Sequence, residues 1–389
     1  MSQTEVQLIK ADAVQTADIA NSAVTDAKIS GLTSSKLTGA LPAISGASLT
    51  NLPASGKARN LIVNGAMNIA QRGTSRSATS QGNGYATVDR FILQWNHFGV
   101  QATETQGDIG SSDTPYTLGF RKFHRIALAS AGTANTNTYI EFKHVVESRD
   151  MATSGWNYTS SSSNATIQFW FRCSTNQTFY ANILSQGGTV QDYAFSFTAS
   201  GNNTWTKITH TIPGGSNVVF DNTNGVGLIL RIIPFYGTQY TNNKTLNQWA
   251  NHDNSNYIPD MASTWLTAGA STFDLTGVQL EVGSSATDFE HLSYQDDLRK
   301  CQRYYYQQWT GSDAGFYMTQ YASTYRMMEV FHPVPMRATP SASFNLNSGS
   351  SSGWTSNEYQ YKAYIAANSS SGSAYHTSGT VTFLSLIHI

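Results

Sequence analysis

From residue 91 onward, apolar side chains return at every second position. Phe91, Leu93 and Trp95 fall on one side of an extended chain. So do Ile140, Phe142 and Val146, with His144 in phase, and so do Ile167, Phe169 and Phe171. In residues 204–212 (TWTKITHTI), Ile208, His210 and Ile212 alternate with Lys207, Thr209 and Thr211. A period of two marks a strand with one buried face. The run 228–233 (LILRII) is apolar on both sides apart from Arg231. It predicts a buried strand with Arg231 at a sheet edge or in an ion pair. The run 273–282 (FDLTGVQLEV) changes phase at Gly277. A bulge there puts Phe273 and Leu275 on the same side as Val278, Leu280 and Val282. Many short runs separated by Gly, Asn and Ser turns predict an all-β chain, with a jelly-roll β-sandwich over residues 57–295.

The flanking segments differ. Residues 1–56 hold no aromatic residue, and large aliphatics recur at Val14, Ile19, Val24 and Ile29. Leu32, Leu37, Leu41, Ile44, Leu49 and Leu52 continue the series between turn residues. A period of five suits neither a helix face nor a strand face, so the segment is expected to be an extended fibre that needs partner chains. A low-complexity linker is the alternative. Residues 293–309 (SYQDDLRKCQRYYYQQW) predict a helix capped by Ser293. Asp296 and Asp297 sit in its first turn, and Leu298, Cys301 and Tyr305 share a face. Beyond it, residues 316–321, 325–331 and 359–365 read as strands. Pro333, Pro335 and Pro340 mark turns, and residues 348–352 read as a loop. Residues 296–389 thus form a short helix and a small distal β-domain.

Composition narrows the function. The formal net charge is -1, from 23 Lys+Arg against 24 Asp+Glu. That balance offers no electrostatic footprint for nucleic acid or an anionic membrane surface. Only 12% of residues are charged, while 20 Tyr and 8 Trp stand among many Ser, Thr, Asn and Gly. A neutral polar surface rich in aromatics suits contact with sugars. No basic-then-apolar leader opens the sequence, and no run is apolar for long enough to insert in a membrane. The chain is expected to be made in a cytoplasm and to leave it by lysis or within a particle. Cys173 and Cys301 read as buried free thiols, with a single bridge as the alternative.

Catalytic signals are sparse. A glycan-cleaving enzyme needs two carboxylates at a set separation. Glu141 and Glu147 bracket one strand-like run, and Asp288 and Glu290 lie two apart. The His residues form no metal-ligand spacing with one another or with Cys, and His144 and His210 read as satisfied core residues. No Gly-x-Ser-x-Gly elbow is present. No cofactor is expected. What stands out is aromatic residues in polar loops. Trp156 and Tyr158 lie in SGWNYTSSSSN, and Tyr236, Tyr240, Trp249, Tyr257 and Trp265 lie in or beside a long polar segment between two strands. These seven are the candidate carbohydrate-binding residues.

Three stretches carry a family resemblance. They are RNLIVNGAMNIAQRG (59–73) with YATVDRF (85–91), the run FDLTGVQLEVGSSATDFEHLSYQDDLRKCQRYYY (273–306), and HPVPMRATP (332–340). Together they resemble phage tail-fibre and tail-appendage proteins, in which a carbohydrate-binding-module-like jelly roll precedes a short helix and a small β-domain. The resemblance implies a homotrimer in the virion tail that meets other tail or baseplate proteins through residues 1–56 and attaches to a host-surface glycan without cleaving it. A glycan depolymerase tailspike and a purely structural spacer or capsid decoration are the other readings. Related modules place a core Trp where Trp205 stands. Many hold a structural calcium between two acids, whose places here fall on Asn68 and Gly277 and lack a carboxylate. The last seven residues, FLSLIHI, resemble translated adapter sequence, so the native C-terminal domain is expected to be truncated near Thr382.

Overall fold

The structure, a computed structural model, describes residues 59–79, 81–308, 319–322, 325–346, 351–366 and 379–384. The fibre reading of residues 1–56 lies outside the described residues.

Thirteen strands build the sandwich. They are β1 (Ser75–Ala78), β2 (Gln81–Gly82), β3 (Phe91–Asn96), β4 (Ala102–Asp108), β5 (Lys122–Leu128), β6 (Tyr139–Glu147), β7 (Asn164–Cys173), β8 (Thr178–Ser185), β9 (Gln191–Thr198), β10 (Thr206–Pro213), β11 (Val226–Tyr236), β12 (Trp249–Asn251) and β13 (Thr272–Val282). Three short helices, α1 (Thr114–Thr117), α2 (Ser148–Ala152) and α3 (Thr264–Thr267), lie in the connections. One antiparallel sheet runs β1-β4-β5-β13-β7-β10 and the other β12-β9-β8-β11-β6-β3-β2. After helix α4 (Tyr294–Gln302) come β14 (Tyr305–Gln308), β15 (Thr319–Ala322), β16 (Tyr325–Phe331), β17 (Ser341–Leu346), β18 (Ser351–Ser356), β19 (Gln360–Ala366) and β20 (Gly379–Leu384). These distal strands form two sheets, β14-β20-β17 and β15-β16-β19-β18.

The alternating residues face one another across the sandwich. Phe91, Leu93, Ile140, Phe142, Ile167, Phe169, Phe171, Phe273 and Leu275 join one buried cluster. Rings from the two sheets interlock, with Phe171 to Phe197 at 4.9 Å and Phe179 to Phe273 at 5.2 Å. Burying each such side chain stabilises the fold by roughly 1.5–3 kcal/mol. His210 stacks on Phe195 at 4.1 Å, with its Nε2 3.1 Å from the Tyr193 hydroxyl. His144 packs on Phe91 at 4.8 Å, and burial, reinforced by Arg90, pushes its pKa well down so that it stays neutral. Both cysteines are buried free thiols.

The phase change at Gly277 is a bulge. Thr276 pairs with Trp170 and Gln279 with Gln168, so β13 carries one extra residue there. Gly277 takes φ +62°, and a Cβ on it would sit 2.8 Å from the Phe120 ring. Val278 and Leu280 thereby join Phe273 and Leu275 in the core. Val282 does not follow them, because the strand ends there and the side chain is 41% exposed.

The stretches that carry the resemblance meet at one seam. The Asn60 side chain donates to the Val278 carbonyl (3.1 Å) and accepts from the Ile62 and Leu280 amides (2.9 and 3.1 Å). The Glu290 carboxylate accepts the Arg59 and Asn60 amides at 3.2 and 2.7 Å. Asn64, at φ +61°, donates through its side chain to the Ile69 and Asp89 carbonyls, and its own amide donates to Asp297 at 3.1 Å. Beside it, a Cβ on Gly65 would lie 2.0 Å from the Val278 carbonyl oxygen.

Ser293 caps α4 as expected, accepting the Asp296 amide at 3.1 Å. The helix stops at Gln302, not at Trp309. Within the predicted length, residues 304–306 are three consecutive tyrosines, which suit a strand, and from Tyr305 the chain pairs with β20. Tyr305 therefore does not share a helix face with Cys301. The side chains after the helix lock onto the sandwich. Arg303 donates twice to Glu147 (2.8 and 2.9 Å), and the Tyr304 hydroxyl donates to the same carboxylate. The Arg90 guanidinium lies 3.4 Å from the Tyr304 ring centre and that of Arg72 lies 3.5 Å from Tyr305. The Arg337 amide then donates to the Arg303 carbonyl at 2.9 Å, tying the HPVPMRATP stretch to the same seam. In the distal part, Ser351 and Ser352 already belong to β18 rather than to a loop.

Candidate functional site

The outer face of the seven-stranded sheet carries the most elaborate polar constellation. Along β6, Tyr139, Glu141 and Lys143 alternate with the inward Ile140 and Phe142 and so point outward. Arg231 on β11 stands opposite Lys143 on one side and Asn182 of β8 on the other. Pro234 lies in a bulge of β11, where Ile232 pairs with Phe142 and Phe235 with Ile140. That extra residue shifts the phase, so Phe235 packs inward and Tyr236 turns outward opposite Tyr139.

Residues 237–262 fold back over this face. Gly237 starts the return so tightly that a Cβ would meet the Asn135 and Thr136 carbonyl oxygens at 2.2 and 2.5 Å. Thr241 bridges Ile258, and the Tyr257 amide donates to the Tyr240 carbonyl at 3.0 Å. Ile258 is fully buried against Ala194, Ile233 and Tyr236, which anchors the cover. The Asn182 side chain donates to the Tyr257 carbonyl at 3.0 Å. At the far end, Asp192 pairs with Lys244, and His252 Nδ1 lies 3.0 Å from its other oxygen.

Four tyrosines gather as a result. Ring centres lie 5.9 Å apart for Tyr139–Tyr240, 5.4 Å for Tyr236–Tyr240 and 5.7 Å for Tyr236–Tyr257. Tyr236 is buried, and the other three are half-buried. Beneath them, Glu141 accepts from the Tyr236 hydroxyl and pairs with Arg231 at 3.1 Å and Lys143 at 3.9 Å. The Arg231 guanidinium lies 5.1 Å from the Tyr257 ring centre. Burial, then the Glu141 carboxylate, push the Tyr236 hydroxyl far above its ordinary range. Burial also raises Tyr139, Tyr240 and Tyr257. All four thus stay neutral phenols. Beside the cluster opens a cavity of about 310 Å³, with Asn135, Thr136, Tyr236, Thr241, Asp260 and Met261 among its lining residues.

Three of the seven sequence-predicted aromatics, Tyr236, Tyr240 and Tyr257, come together here. The others do not. Trp265 is fully buried beside Phe273, its indole N–H donating to the Thr272 carbonyl at 2.9 Å. Trp156 is 4% exposed, bonded to the Ser163 carbonyl at 3.1 Å and packed on Phe220. Tyr158 stands edge-on to the same Phe220 at 4.9 Å. Trp249 lies on the edge strand β12 against Tyr193, its N–H donating to the Pro213 carbonyl at 2.7 Å. Trp265 and Trp156 present no ring face for a sugar; their polar loops fold inward because each indole N–H finds a carbonyl there. Sequence reasoning passed over Tyr139, Lys143 and Asp260. The signal for the first two was present, since both fall on the outward phase of β6.

Three of the four acids read from the sequence as pairs, Glu141, Glu147 and Glu290, are held within the fold. Glu141 and Glu147 point the same way but stand six positions apart on β6, about 20 Å. That exceeds the separation glycoside hydrolysis uses. Glu290 holds the amides of Arg59 and Asn60. Nor do the residues at the calcium positions fit that ion. Asp274, three residues before Gly277 in sequence, is taken by Arg125 (2.6 and 2.8 Å) and Arg172 (2.9 Å). Among the described residues no group of three or more His, Cys, Asp or Glu is placed to hold a metal.

No family model matches the chain, and no curated protein sequence matches it significantly. Among solved structures, it is similar to the enzymatically active domain of tailspike protein 4 of bacteriophage CBA120 (11% identity, TM-score 0.29), with 58% of this chain and 21% of that one covered. It therefore spans about a fifth of that chain. It is similar to the carbohydrate-binding module CBM4 (15% identity, 49% and 87% covered, TM-score 0.24). A third similarity is to the tripod from the baseplate of bacteriophage Tuc2009 (12% identity, 82% and 100% covered, TM-score 0.24). At TM-scores below 0.5 these matches bear on neither ligand nor assembly, and the site is argued from its own residues.

Proposed function

We propose that this chain is a host-attachment protein of a bacteriophage tail that binds a surface glycan, without turnover, on the outer face of the seven-stranded sheet. The observation that carries the reading is the cluster Tyr139, Tyr236, Tyr240 and Tyr257 beside an open cavity. Sugar C–H faces stack on flat rings, and neutral phenols bring no charge to the face. The Glu141 carboxylate beneath is committed to Arg231, Lys143 and Tyr236, which suits a binding surface better than a cleaving one. The sequence resemblance supplies the phage context. In this reading residues 1–56 join the chain to other tail or baseplate proteins and to two further copies of itself in the virion.

The test is binding of the purified full chain to host cells and to a glycan array, alongside a Tyr240→Ala/Tyr257→Ala variant with an unchanged melting profile. Binding that falls at least about tenfold in the variant supports the site. Equal binding by both proteins sinks it. Release of reducing ends from host polysaccharide by the wild type would instead establish the depolymerase reading.

A further inference from the structure

Resting on the glycan-binding reading, we propose that the cavity beside the tyrosines selects sugars by charge. It admits neutral and amino-bearing sugars and rejects uronates and other anionic sugars, and Asp260 is the residue that discriminates. The volume of about 310 Å³ lies at the small end of ligand sites, suited to one sugar unit rather than a long chain. Phe235, Tyr236 and Met261 supply its apolar walls.

The polar lining holds no cation. Of the residues around the cavity, Asp260 alone is charged. It is exposed, and the Thr241 hydroxyl donates to one of its oxygens, which orients the carboxylate. Three of the main-chain amides around it are spent inside the protein: Asn135 donates to the Thr133 carbonyl (3.1 Å), Tyr236 to Met261 Sδ (3.2 Å) and Gly237 to the Thr138 carbonyl (2.8 Å). The Tyr236 hydroxyl is likewise committed to Glu141. The nearby cations, Arg231 and Lys143, are held by Glu141 under the rings and do not line the cavity.

An anionic substituent needs N–H donors or a cation to replace its water. Here it meets a carboxylate and no cation. A sugar hydroxyl or ammonium brings the donor that Asp260 lacks. The preference therefore follows from the one charge in the lining, and that exposed side chain controls it.

The experiment is calorimetric titration of the full chain at low salt with three probes of matched length: an oligochitosan, a cello-oligosaccharide and an oligogalacturonate. The wild type is expected to bind the first two and to bind the oligogalacturonate at least about tenfold more weakly. Asp260→Asn keeps an acceptor for Thr241 and lies on an exposed position, so its melting curve should match the wild type. It should bring the oligogalacturonate within about threefold of the cello-oligosaccharide and remove any preference for the oligochitosan. Oligogalacturonate binding as tight as the others to the wild type, or unchanged selectivity in the variant, overturns this inference and leaves the glycan-binding reading standing. Binding of none of the three by the folded wild type overturns both.

Discussion

The seam around Asn60, Asn64 and Tyr304 and the tyrosine face above Glu141 are built from the same residue types, yet they spend them differently. At the seam, the Asn60 side chain bonds to main chain on a strand more than two hundred residues away, and Glu147 is closed off by Arg303 and Tyr304. On the sheet face, a similar carboxylate–arginine–tyrosine group stands under three half-buried tyrosines beside a cavity. The recognisable motifs all belong to the seam. The residues able to meet a ligand lie on β6, β11 and the loop after it, none of which carries a motif. Family-like sequence in this chain therefore reports architecture, and the ligand question rests on residues outside it.

That contrast can be broken in three places. The largest effect is expected at Gly65. A methyl group there collides with the Val278 carbonyl, so Gly65→Ala should cost about 3 kcal/mol or more, read by denaturant unfolding. Near-wild-type stability would show that the seam tolerates movement.

Next comes Glu147→Gln, which leaves Arg303 and Tyr304 without their carboxylate. Arg303 is one-third exposed, so the expected loss at neutral pH is about 2 kcal/mol rather than the larger figure for a fully buried pair. Burial raises the Glu147 carboxyl, but Arg303 and Tyr304 outweigh it and hold it below its ordinary 4.5. A depressed carboxylate stabilises the fold above its unfolded pKa, and that stability is lost as pH falls through the folded value. The gap between wild type and variant should therefore close below about pH 4.5. A gap that stays constant with pH would contradict the ion pair. The smallest effect is expected from Trp265→Phe. It removes an internal hydrogen bond and some core volume, for about 1–2 kcal/mol, and should leave binding to host cells unchanged. A loss of binding at unchanged stability would move the site away from the tyrosines.

Much of the sandwich was legible in the residues. The alternation at Phe91, Ile140 and Ile167 identified strands and the side each buries, and the phase break at Gly277 located a bulge. Ser293 announced its helix by the ordinary capping chemistry. The helix end was not legible, because Arg303, Tyr304 and Tyr305 are held by Glu147, Arg90, Arg72 and β20, and local propensity contains none of these. Arg231 was readable only as an edge or a paired residue. Its place in the sheet interior, beside Glu141, decides for the pair.

By itself, then, the sequence determined an antiparallel β-sandwich, its inward faces, its main bulge and a capped helix after it. Those features depend on neighbours within about ten residues, and side-chain periodicity records them directly. Only the tertiary structure decided which aromatics are available. Trp156 and Trp265 look no different in sequence from Tyr240 and Tyr257. The first pair turns inward because carbonyls and apolar rings wait there, and the second stays at the surface because residues 237–262 fold across β6, β8 and β11. A period-two pattern says which side of a strand is apolar. It says nothing of what covers the other side, since that cover arrives from strands and loops tens of residues away.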